Sequence, residues 1–120
     1  MECLEDHTPL FMDIAKDEKG MEAIEYGYEF QDEYKNHIIR VSFNRSEQHS
    51  LERLLLELMK QFDMYIGNDE MTTLINSNVP KAIEIAKTFP SDNTESGVAI
   101  KKFINQLEKA LEFNSGVFFG

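Results

Sequence analysis

Cysteine, basic residues and long apolar runs are all scarce in this sequence. Cys3 is the only cysteine among the 120 residues, so no disulfide can form within the chain, and a reducing compartment fits this composition. One cysteine and three histidines do not suggest a structural zinc site, which needs a full set of Cys and His ligands. We expect neither a metal nor a cofactor.

Apolar residues are distributed in short groups rather than long stretches. None approaches the roughly 20 consecutive residues of a membrane span. The opening segment MECLEDHTPL carries acids where a secretory signal needs positive charge followed by an apolar run. We therefore expect a cytoplasmic protein without membrane contact. With 42% hydrophobic residues over 120 positions, the chain has the size of one ordinary domain, and we predict a single domain over residues 1–120.

Basic residues are outnumbered, and the imbalance is concentrated in one part of the chain. The sequence holds 12 Lys and Arg against 22 Asp and Glu, for a net charge of −10. Residues 1–35 contain 11 of the acids and 3 of the lysines, so this segment alone carries −8. Direct contact with nucleic acid or an anionic membrane needs Lys/Arg clusters and is disfavoured. A basic protein partner is favoured instead.

Motifs for catalysis and ligand binding are also missing. No glycine-rich loop ends in a lysine, as a phosphate-binding loop requires. Residues 92–97, DNTESG, resemble the start of a calcium loop, but Phe103 stands where a closing Glu is needed. Cys3 and His7 have the spacing of a nucleophile and base, yet no strand-to-helix turn precedes either residue. We predict no catalytic residue and no enzymatic activity.

Hydrophobic periodicity predicts both helices and strands. The pair Thr8-Pro9, followed by apolar residues at helical spacing, predicts a first helix that ends near Gly20. Apolar and polar residues alternate over residues 24–30 and again over residues 39–43. This alternation predicts two strands that pair as an antiparallel hairpin.

Four more helices are expected after the second strand. We predict a long helix capped by Ser46 and ended by Gly67, a short one over residues 68–75, one opened by Pro80, and a last one over residues 98–113. The apolar tail, residues 117–119, is a candidate third strand at the edge of the sheet. The predicted fold class is α+β, an antiparallel β-hairpin packed against four to five helices.

One segment combines aromatic and acidic side chains. Residues 25–34, EYGYEFQDEY, interleave three tyrosines and a phenylalanine with four acids. On a strand, Tyr26 and Tyr28 would share the core face with Ile24, so packing is their expected role. Tyr34 lies beyond the strand and is the better contact residue. The predicted partner-binding residues are Asp17, Glu18, Glu25, Glu29, Asp32, Glu33 and Tyr34, and Glu22 could extend the same negative surface.

These features favour an inhibitor of a basic protein. Nuclease active sites are cationic because they hold phosphate, and an acidic surface can occupy them. We predict an immunity-type or antitoxin-like protein that neutralises a basic effector, such as a nuclease toxin, by occluding its active site. One alternative is a structural or adaptor subunit that forms a homodimer through the apolar tail and Leu56. Another is an enzyme with carboxylates in a deep pocket at a subunit interface.

Overall fold

The fold is described by a computed structural model over residues 9–27, 31–67, 71–90 and 94–120. In chain order the elements are β1 (Leu10–Ala15), α1 (Glu18–Tyr26), α2 (Asp32–Lys35), β2 (Ile38–Phe43), α3 (Arg45–Phe62), β3 (Thr72–Leu74), α4 (Val79–Ala86), α5 (Glu95–Glu112) and β4 (Val117–Phe119). A 3-10 turn at Asn76–Asn78 precedes α4. The predicted α+β class is confirmed. Within these ranges, no helix is both long enough and apolar enough to cross a membrane.

The four strands form one antiparallel sheet in the order β2-β1-β4-β3. Asp13 is paired with Arg40 on β2 and with Phe118 on β4, and Phe118 is paired with Thr73 on β3. Because side chains alternate along a strand, this row lies on one face of the sheet. The other face, with Met12 and Phe119, packs into the main hydrophobic core beneath the long helices.

The predicted first helix is wrong, because residues 10–15 form β1. Leu10, Met12 and Ile14 are almost fully buried, at alternate positions that face the main core. Both β2 and β4 pair with β1, so backbone groups on both of its sides are hydrogen-bonded within the sheet. Tertiary pairing therefore overrides the helical spacing of this short apolar segment.

The strand predicted over residues 24–30 is also wrong, because residues 18–26 form α1. The Asp17 carboxylate accepts a hydrogen bond from the Gly20 backbone N–H and begins the helix. Gly27 ends it in the left-handed conformation with φ 77°. Residues 28–30 lie outside the described residues. The strand predicted over residues 39–43 is confirmed as β2. It pairs with β1 instead of with a strand over residues 24–30.

The predicted long helices are confirmed, with corrected ends. Asn44, not Ser46, caps α3 through a reciprocal capping box with Glu47. The helix ends at Asp63, before Gly67, in a left-handed conformation with φ 51°. Thr94 caps α5, and α4 begins at Val79, next to Pro80. The short helix predicted over residues 68–75 is wrong, since residues 72–74 form β3 and residues 68–70 lie outside the described residues.

The apolar tail forms β4, but not at the edge of the sheet as predicted. It lies between β1 and β3 and pairs with both. Val117 and Phe119 are completely buried, and the Phe119 ring stacks on Phe103 of α5 with ring centroids 6.0 Å apart. The tail therefore joins the sheet to the helical core.

We predict that Phe119→Ala lowers the free energy of unfolding by about 3–5 kcal/mol, because it removes a fully buried ring and leaves a cavity. Urea denaturation followed by circular dichroism measures the change. Leu111→Ala on α5 is the control, because Leu111 is 41% exposed. An equal loss in both variants would contradict the central role of β4.

A partly buried ion pair lies on the sheet face that is turned away from the main core. Asp13 is 2% exposed, and its two carboxylate oxygens each accept a hydrogen bond of 2.7 Å from Arg40. The Arg40 guanidinium also lies 4.2 Å from the centre of the Phe11 ring. Because Asp13 is buried, removing the Arg40 side chain leaves its carboxylate without this partner in a poorly solvated place.

We predict that Arg40→Met costs about 3–5 kcal/mol of stability and that Asp13→Leu costs less, because the remaining Arg40 is partly exposed, whereas the double variant costs clearly less than the sum of the two. The free energies of unfolding of the four proteins form a double-mutant cycle. Strictly additive losses would show that the pair is not coupled.

Candidate functional site

An open depression of about 680 Å³ lies on the surface formed by α1 and α2. We call it the acidic depression. Its lining residues are Glu18, Lys19, Met21, Glu22, Glu25, Tyr26, Glu33 and Tyr34. Four carboxylates and two tyrosines thus surround one lysine.

The helical geometry of α1 brings three of these carboxylates together. Glu18, Glu22 and Glu25 are spaced by four and then three residues, and such positions share one face of a helix. Like charges at this spacing repel by about 0.2–0.5 kcal/mol per pair. A cationic partner would relieve that repulsion.

Contacts between side chains attach α2 to this face. Lys19 Nζ lies 3.4 Å from Glu33 Oε1 and 5.3 Å from the centre of the Tyr34 ring. The Tyr34 hydroxyl donates a hydrogen bond of 3.3 Å to Glu22 Oε1. These contacts are exposed, and exposed ion pairs contribute little to stability. They orient the two helices without neutralising the depression.

The structure brings together part of the predicted contact set. Four of its members line the acidic depression: Glu18, Glu25, Glu33 and Tyr34. Asp17 immediately precedes this surface as the cap of α1, and Asp32 begins α2, where it pairs with Lys35 at 3.3 Å. Glu29 lies outside the described residues.

Sequence reasoning did not assign Lys19, Met21 or Tyr26 to the predicted contact set, and it named Glu22 only as an extension of the negative surface. Tyr26, expected in the core, is 63% exposed and lines the depression. Tyr28 lies outside the described residues. The missed signal is the pair of helix boundaries, with Asp17 as an N-cap and Gly27 just beyond the last turn. A helix between them would have placed Glu22 beside Glu18.

The arrangement suits electrostatic contact better than acid catalysis. A catalytic acid is generally held in an apolar environment, whereas Glu18, Glu22 and Glu25 are exposed. Across the described ranges, no three His, Cys, Asp or Glu side chains are placed to hold a metal ion together. The depression can accept a protruding cationic side chain between its carboxylates, with the tyrosine rings as contact surfaces.

Comparison of the chain with protein-family models, with curated proteins and with solved structures finds no match in any of the three. Geometry and charge are therefore the basis for inferring function.

Asp17 also connects α1 to the beginning of β2. Its second carboxylate oxygen lies 2.7 Å from His37 Nδ1. The hydrogen bond with His37, followed by that from Gly20, holds the pKa of the Asp17 carboxyl below its ordinary value of 3.8. Because the folded-state pKa is lowered, this carboxylate stabilises the fold above pH 3.8 and loses the effect as the pH falls through the lowered pKa.

We predict that Asp17→Asn lowers the melting temperature at neutral pH and that the difference from the wild type vanishes in strong acid. Asn can still cap α1, so Asp17→Ala should be less stable than Asp17→Asn. Thermal unfolding at a series of pH values from about 2 to about 7, an interval that includes the ordinary pKa values of carboxyl groups, measures both effects. A difference that is independent of pH would contradict the contribution of the charged carboxylate.

Proposed function

We propose that this protein neutralises a basic protein effector, as an immunity protein or antitoxin does, by contact through the acidic depression. The supporting observation is that Glu18, Glu22, Glu25 and Glu33 surround one open depression together with two tyrosines. Acidic groups complement the cations of a nuclease active site, and tyrosines provide contact area at little entropic cost. A cytoplasmic location is part of this proposal.

Electrostatics favours this type of partner in two ways. The net charge of −10 attracts a cationic protein over distances of about the Debye length, ~8 Å at physiological salt, and speeds encounter. At short range, Lys19 is the one base among the described residues that line the depression, and it is paired with Glu33. Glu22 accepts a hydrogen bond from the uncharged Tyr34 hydroxyl, and together with Glu18 and Glu25 it can attract Arg or Lys side chains of a partner.

The alternative of a homo-oligomeric adaptor receives less support. The tail residues Val117, Phe118 and Phe119 are buried in their own sheet, so they do not provide the exposed surface that this alternative assumed. Leu56 is 58% exposed on α3, and single exposed leucines are common on monomeric proteins. The enzyme alternative assumed a deep pocket, whereas the acidic depression is open.

The test uses the protein encoded by the adjacent open reading frame as the candidate effector. We expect tight binding and inhibition, and we expect Glu22→Lys with Glu25→Lys to weaken binding by at least about 30-fold, because repulsion replaces attraction at the contact. Isothermal titration calorimetry and the effector's activity are measured together.

The matched control is Glu108→Lys with Glu112→Lys on α5, which changes the net charge by the same amount on another exposed helix face. This control should retain binding within a few-fold. If both double variants weaken binding equally, the effect is one of overall charge and the site is wrong. If the neighbouring protein neither binds nor is inhibited, the immunity-type function is wrong.

A further inference from the structure

An apolar groove of about 560 Å³ adjoins the acidic depression. It lies between α1 and the part of the sheet formed by β3 and β4. Its apolar lining consists of Met21, Ile24, Met71, Ile75 and Phe118. Met71 and Ile75 flank β3 on the same side as Thr73, so they lie on the sheet face that α1 only partly covers.

Three of the apolar side chains that line the groove are exposed to solvent. Met21, Met71 and Ile75 are 43%, 50% and 55% exposed, whereas Ile24 and Phe118 are buried and form the floor. Clustered exposed apolar side chains mark interaction sites on monomeric proteins. Methionine side chains adapt to differently shaped partners because they are unbranched and flexible.

The groove and the acidic depression form a continuous surface. Met21 and Glu25 line both of them. A ligand with a bulky apolar side chain in the groove would therefore place its neighbouring residues beside the carboxylates of α1. Cationic neighbours would be attracted there, and anionic ones repelled.

We propose that the occupant is a segment of a basic protein in which one large apolar side chain is flanked by lysines or arginines. This inference rests on the proposed function and names the recognition element of the partner. The carboxylates of the adjoining acidic depression disfavour an anionic membrane, and a second copy carrying the same charge of −10 is repelled. Charge complementarity thus selects a basic segment over both.

The probe is a synthetic, end-capped pentapeptide with a central tryptophan and two lysines on each side. The protein contains no tryptophan, so the emission reports only on the peptide. We expect a saturable blue shift as the indole enters the groove. Replacing the tryptophan's lysine neighbours by glutamates should abolish the shift.

Met71→Gln with Ile75→Gln should weaken peptide binding by about 10-fold or more, because both side chains line the groove. The control, Leu56→Gln with Leu111→Gln, alters side chains that are 58% and 41% exposed elsewhere on the surface, and it should bind as the wild type does. Circular dichroism verifies that all variants are folded.

Several outcomes would overturn the inference: no saturable shift with the wild type, equal affinity in the groove variant, or equal weakening in the control. Self-association that the groove variant abolishes would assign the groove to a second copy instead. If only Glu22→Lys with Glu25→Lys weakens peptide binding, the groove is not the anchor site, and the acidic depression keeps its proposed role.

If the peptide binds in the groove while the neighbouring protein is neither bound nor inhibited, the immunity-type function is wrong and the inference about the groove still holds.

Discussion

The insertion of β4 between β1 and β3 is the interaction on which the rest of the structure depends. In the described part of the chain, β3 joins the sheet only through β4. Adjacent residues of β4 point to opposite faces, so Phe119 stacks on Phe103 in the helical core while Phe118 packs with Ile24 of α1. The same short strand therefore anchors the long helices on one side and supports the floor of the apolar groove on the other.

Elements with strong local signals could be predicted from the sequence. The stripe of leucines in α3 and the apolar face of α5 extend over 18 residues each, long enough for the helical period to be unambiguous. β1 and β3 could not be predicted, because short apolar segments are compatible with either a helix or a strand. β1 is held by pairing with β2 and β4, and β3 by pairing with β4, and local patterns carry no information about partners that are distant in sequence.

The charge of the candidate site was predictable, but its arrangement was not. The predicted strand placed Glu25 and Glu29 on one face, whereas α1 places Glu25 beside Glu22 and Glu18. Because the segment is a helix and not a strand, Tyr26 is exposed, whereas a strand would have buried it. The sequence signal that favours a helix over a strand here is the pair of capping residues, Asp17 before the first turn and Gly27 after the last.

The fold and the candidate site use opposite sides of α1. Gly20, Ala23 and Ile24 face inward, and a Cβ atom on Gly20 would lie 2.1 Å from the His37 carbonyl oxygen, so the helix can approach the start of β2 this closely only with glycine there. That contact sets the orientation of the helix and turns its carboxylates outward. Because they are exposed and repel one another, they add little to stability. Their clustering therefore contributes little to folding, and it is the feature on which the proposed contact with a cationic partner rests.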